Sequence, residues 1–116
     1  MHGLPVLRRM PNYNWLEVAM IWMNHKWTLM DGPTYTYDNN PNDVSEVVEH
    51  IKNVHRHGLS VISMKLAGAA AFTRHADRQE AMRFAFRHVG VDAVTVSFKN
   101  TQEIHETISN LNSVLA

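Results

Sequence analysis

The sequence predicts an α/β fold made of parallel βαβ units. Three observations point there. Apolar runs of strand length alternate with segments whose apolar residues recur at helical spacing. The two inner helical segments each close on a glycine, Gly58 and Gly90, just ahead of the next apolar run. The resulting order, β-loop-α-β-α-β-α, calls for crossovers that keep the strands parallel.

Residues 1–14 are read as a lead-in. Residues 15–23 (Trp-Leu-Glu-Val-Ala-Met-Ile-Trp-Met) are nearly continuous apolar sequence between asparagines and suit a strand covered on both faces, with Trp15 and Trp22 in its core. Residues 26–42, broken by Asp31-Gly32-Pro33, Asn39, Asn40 and Pro41, form a loop long enough to suggest a functional or unusually ordered segment. Over 43–57 the residues Val44, Val47, Val48, Ile51 and Val54 line one helix face, with Glu46, Glu49, Lys52 and Arg56 opposite. Residues 59–64 make the second strand, and 65–73 a small-residue loop. A helix over 77–89 carries Ala81, Met82, Ala85, Phe86 and Val89 on its buried stripe, with Asp77 and Glu80 as cap and first-turn acid. Residues 91–98 are the third strand. The last helix, 101–115, places Ile104, Ile108, Leu111 and Leu115 on one face, with Asn100 as N-cap and Glu103 completing a capping box.

The chain has 116 residues, 45% of them apolar, which fits one globular domain and excludes a disordered class. Eleven basic and eleven acidic residues leave no formal net charge, so neither a nucleic-acid footprint nor a polybasic membrane surface is expected. The absence of cysteine excludes disulfides, thiolate zinc sites and a cysteine nucleophile, and fits a reducing compartment. No secretory signal is visible and the longest apolar run is far short of a membrane span, so a cytoplasmic location is expected. Three parallel strands leave two open edges, which suggests part of a larger barrel or an assembling subunit.

Three phrases in order resemble the C-terminal part of the aldo/keto reductase family: Gly-Leu-Ser-Val-Ile-Ser-Met-Lys-Leu-Ala-Gly at 58–68, Asp-Arg-Gln-Glu-Ala-Met-Arg-Phe-Ala-Phe at 77–86, and Val-Asp-Ala-Val-Thr-Val-Ser-Phe-Lys-Asn-Thr-Gln-Glu-Ile-His-Glu-Thr-Ile at 91–108. Residues 15–24 resemble the family's sixth strand. The resemblance implies a partial (β/α)8 TIM barrel, strands six to eight with their helices, spanning 1–116 as a C-terminal fragment. It implies a nicotinamide dinucleotide cofactor, NADP or NAD, and a small carbonyl substrate in a full-length enzyme. In such barrels ligands sit at the C-terminal ends of the strands, with phosphate held after strands seven and eight. By this analogy Lys65, Gly68, Lys99 and Asn100 contact phosphates and ribose, Glu106 holds the adenine amino group, and Asn24 lies near the nicotinamide carboxamide.

The sequence also departs from the family. Met20 stands where many members have Gln, and Met64 where many stack an aromatic ring on the nicotinamide. Glu103 replaces the Arg that grips a 2′-phosphate, and Thr107 an Asn after the adenine-binding Glu. The family's catalytic Asp, Tyr, Lys and His lie on strands two to four, which nothing in 1–116 matches. No catalytic residue is therefore assigned, and the chain is expected to be an incomplete reductase. A second expectation is a non-enzymatic α/β module that completes its sheet by self-association through the open edges or with a partner chain. A weaker third is a stand-alone anion-binding domain of flavodoxin-like arrangement.

Ordinary explanations compete at each residue. Lys65 and Lys99 serve equally as solvated rim lysines, with the helix start beside Lys99 favouring function there. Gly68 suits turn geometry, and Glu106 a solvated helix acid. Eight histidines carry no metal-ligand spacing, so no metal site is expected. Trp27 is the better ligand candidate among the tryptophans. Arg8, Arg9, Lys26 and Arg74 do not cluster in sequence.

Overall fold

Two apolar strands with matching alternation set the centre of the molecule. In the computed structural model, which describes residues 4–26, 43–67 and 72–116, β1 (Val18–Trp22) runs parallel to β2 (Ser60–Met64), from Val18 opposite Ser60 to Trp22 opposite Met64. The short β3 (Ala93–Val94) joins the other edge of β2, with Ile62 opposite Ala93. Strand order follows chain order, β1-β2-β3, and both pairings are parallel as the sequence predicts.

The helices are α1 (Leu4–Arg9), α2 (Asp43–Arg56), α3 (His75–Arg83) and α4 (Thr101–Leu115). α1 was not expected: the lead-in is helical and continues as a 3-10 turn over Met10–Asn12. It is held by burial of Leu7 and Met10 and by an ion pair from Arg8 to Glu46 on α2. α3 unwinds into a wider π-helical turn, Phe84–Val89, which ends on Gly90 at φ +81°. Gly58 takes φ +88° after α2. Both glycines thus adopt the left-handed geometry that lets a helix stop and its chain enter a strand.

The helical stripes read from the sequence form the core. Val47, Val48, Ile51 and Val54 of α2 and Ala81, Met82, Ala85 and Val89 of α3 are buried together with Ala19 and Ile21 of β1 and Val61 of β2. These strand residues, with buried Ser63, share one face of the sheet. Among the described residues the expected cover on both faces is not found. On the opposite face Val18 and Met20 are exposed, and Trp22, Ile62 and Met64 are half-buried. The cause is topological: with no reversal of strand order, successive crossovers lay their helices on the same side.

Four further expectations are corrected. The first strand is shorter than 15–23, and Trp15 is 72% exposed, tilted against Tyr13 rather than in the core. β3 is shorter than 91–98. Its ladder to β2 ends with Thr95 N–H donating to the Ser63 carbonyl, because β2 stops at Met64 and leaves later residues no partner there. α3 starts at His75, and Asp77 is not its cap. The expected apolar face of α4 is covered only in part: Leu111 packs on the core, but Ile104, Ile108 and Leu115 are exposed, while Asn110 and Val114 are buried. The expected 26–42 loop, Trp27 included, lies outside the described residues beyond Lys26. Among the described residues no helix is long and apolar enough to cross a membrane.

Candidate functional site

The C-terminal ends of β1 and β2 are tied together by one buried amide. Asn24, fully buried just past β1, donates from Nδ2 to the carbonyl of Lys65 (3.3 Å) and accepts from the Lys26 N–H on Oδ1 (3.1 Å). The second bond spans two residues and turns the chain sharply at His25. The Met23 N–H reaches the Met64 carbonyl (2.9 Å), extending the ladder to the rim. Asn24, expected near a nicotinamide, thus positions the rim through its side chain.

Lys65 stands at φ +61°, a left-handed conformation that a β-carbon disfavours. Strain of this kind is kept only where surrounding bonds hold it, and it concentrates at functional sites. Here the Asn24 amide grips the Lys65 carbonyl, while the ammonium lies 5.3 Å from the centre of the Trp22 ring. The Lys65 charge is therefore presented at the end of the sheet, on the face not covered by helices.

Beyond β3, Lys99 and Asn100 open α4. Asn100 accepts from the Glu103 N–H (2.9 Å), confirming it as N-cap. The Glu103 carboxylate accepts from the Lys99 N–H (2.8 Å) instead of from the cap residue's own. The start of α4 accordingly carries a half-buried carboxylate beside an exposed lysine. Gly68 lies outside the described residues.

Glu106 is held by two partners from α3. Arg78 donates to it bidentately (2.7 and 2.6 Å), and His75 Nδ1 lies 2.6 Å from the same carboxylate. The Arg78 guanidinium, then His75, holds the Glu106 pKa down at about 2. One lone pair on Oε2 remains for a further donor after these bonds.

A second network, which sequence spacing did not disclose, sits beside the rim. Asp77 accepts from Arg74 Nε and Nη2 (3.0 and 3.1 Å) and from the Lys26 ammonium (2.7 Å), which together press its pKa well below the usual carboxylate range. Lys26 and Arg74, far apart in sequence, therefore meet in space. Arg78 also donates to the Phe72 carbonyl (3.1 Å). His25 belongs to this group as well. Its only sequence signal was its place immediately after Asn24 at the end of an apolar strand.

Among the described residues no cluster of His, Asp or Glu has the make-up of a metal site. A shallow groove of about 420 Å³, lined by Glu80, Arg83, Phe84, Arg87 and His88, follows α3 toward the opposite end of the sheet. Arg83 is paired there with Glu80, and Arg87 is bonded to the carbonyls of Val114 and Ala116. No family model matches the sequence, and no curated protein or solved structure matches it either.

Proposed function

We propose that the chain is the cofactor-binding C-terminal part of an aldo/keto reductase-like NAD(P)-dependent oxidoreductase, built as strands six to eight of a (β/α)8 barrel. One observation carries this reading. Lys65, strained and gripped by buried Asn24, and Lys99, at the capped start of α4, follow neighbouring parallel strands at the same end of the sheet. That end is where parallel α/β sheets bind ligands. Helices on one face, with strands in chain order, also suit an arc of a barrel better than a doubly wound sheet.

The donor set fits a dinucleotide. Two ammonium groups meet the pyrophosphate charge, and Glu106 keeps an acceptor for an amino group on the base. Glu103 sets the preference between cofactors: its carboxylate repels a 2′-phosphate and accepts from ribose hydroxyls, so NADH is favoured over NADPH. The bound nicotinamide supplies hydride, and proton-donating groups come from outside 1–116. The chain alone is therefore a binder without reductase activity.

Titration of the full chain with NADH and NADPH, followed by nicotinamide fluorescence, tests this. The expected result is saturable NADH binding in the high-micromolar range, weaker for NADPH and weakened by Lys99→Ala. An absence of binding by folded protein, or an NADPH preference, contradicts the reading. The exposed Val18 on the helix-free face favours a second reading, a module that closes its sheet against another copy. A monomer in sedimentation counts against it.

A further inference from the structure

His25 occupies the turn that Asn24 closes, between the end of β1 and the start of α3. Its Nδ1 is shut away from solvent and, among the described residues, has no hydrogen-bond partner. Buried ring nitrogens without partners are uncommon in folded proteins and call for a reason. The ring packs against buried Phe72, 5.2 Å between centres. Phe72 is also contacted by the Lys26 ammonium, 5.5 Å from its ring centre, and its carbonyl is held by Arg78. His25 and Phe72 are thus the apolar contact across which the β1 turn meets α3.

The charged groups facing His25 are Glu80, Lys26 and Asp77. Both acids favour the imidazolium through space, but each already holds another cation. Asp77 is bonded to Arg74 and Lys26, and Glu80 to Arg83. A proton on His25 Nδ1 would sit on a buried ring edge beside the Lys26 ammonium, with the nearby acids shared with other cations. Burial, the largest influence, lowers the pKa of His25 from its ordinary 6.5.

We propose that His25 is a proton-operated clasp on the rim. When neutral, it packs on Phe72 and holds the β1 turn against α3. When protonated, it moves out to water and releases Phe72. Because the Asn24 side chain brackets His25 through the Lys26 N–H, this movement is passed to the Asn24–Lys65 bond. The clasp does not depend on what the rim binds.

Nuclear magnetic resonance of the full chain from about pH 8 to about pH 4.5, the range in which imidazoles switch charge, tests the clasp. His25 is expected to titrate below 6.5, its ordinary value. Over the same midpoint its ring contacts to Phe72 should vanish and the Lys65 amide should shift, while the Ile51 methyl signals stay native. In His25→Phe, or in His25→Gln should the first fail to fold, the Phe72 and Lys65 signals should no longer follow that midpoint. Four results overturn the proposal. They are Phe72 contacts that persist on both sides of the titration, a His25 that stays neutral throughout, Lys65 shifts unchanged in the variants, and opening that coincides with loss of the Ile51 signals.

Discussion

Asn24 and Lys65 divide the work of the rim between structure and charge. The Asn24 amide satisfies two backbone groups at a buried position, so Asn24→Ala leaves the Lys65 carbonyl and the Lys26 N–H short of partners. The expected loss is about 2 kcal/mol in urea unfolding. Lys65→Gly behaves differently. Relief of the left-handed backbone, about 1 kcal/mol, is offset by the lost contact with Trp22, about 0.5 kcal/mol, and by glycine's freedom in the unfolded chain, about 0.7 kcal/mol. Stability should stay within about 0.5 kcal/mol of the parent, while NADH affinity falls about tenfold with the loss of one charge-assisted contact. A variant that loses stability in step with binding would make Lys65 a folding residue only.

At the scale of elements, α4 shows what periodicity can and cannot reveal. The cap was legible, because Asn followed three residues later by Glu has a local cause. Asn100→Ala should cost about 1 kcal/mol, read as a lower thermal midpoint. The docking of α4 was not legible. Its apolar stripe leaves Ile108 51% and Leu115 56% exposed. The helix is fastened by Val114 and Leu111 at the core and by polar groups, Glu106 to Arg78 and His75, and the Val114 and Ala116 carbonyls to Arg87. Such long-range pairs leave no mark on spacing. α2 and α3 were readable for the opposite reason, since their stripes meet the sheet face that the crossovers cover. α1 was missed because prolines at 5 and 11 and paired arginines mask a helix held by Leu7 and Met10. At the rim, Asn24, Lys65, Lys99 and Asn100 follow from the family resemblance together with their places after the strands. The Asp77 network escaped in part because Lys26 reaches Asp77 from about fifty positions away, whereas Arg74 is only three residues from it.

Among the described residues the lowered acids and His25 act on acid stability in one direction. Glu106, near 2 when folded against an ordinary 4.5, and Asp77, also lowered, bind protons more readily in the unfolded chain. His25, lowered from 6.5, does the same. Each contribution is complete above the ordinary value and is lost as pH falls through the folded one. Stability should therefore decline below 6.5 and more steeply below 4.5, measured by denaturant titration across pH. Glu106→Gln should flatten the acid limb and cost about 1 kcal/mol at neutral pH, where a partly exposed pair is worth little more.

In the proposed function a dinucleotide lies across the strand ends, not along the helices. Amide shift mapping of the isotope-labelled chain during NADH titration tests this most directly. The account predicts saturable shifts at Asn24, Lys65, Lys99 and Asn100, with Arg83, Arg87 and His88 unmoved. Shifts confined to the Arg83–His88 groove, or none at millimolar NADH in a folded chain, would contradict it.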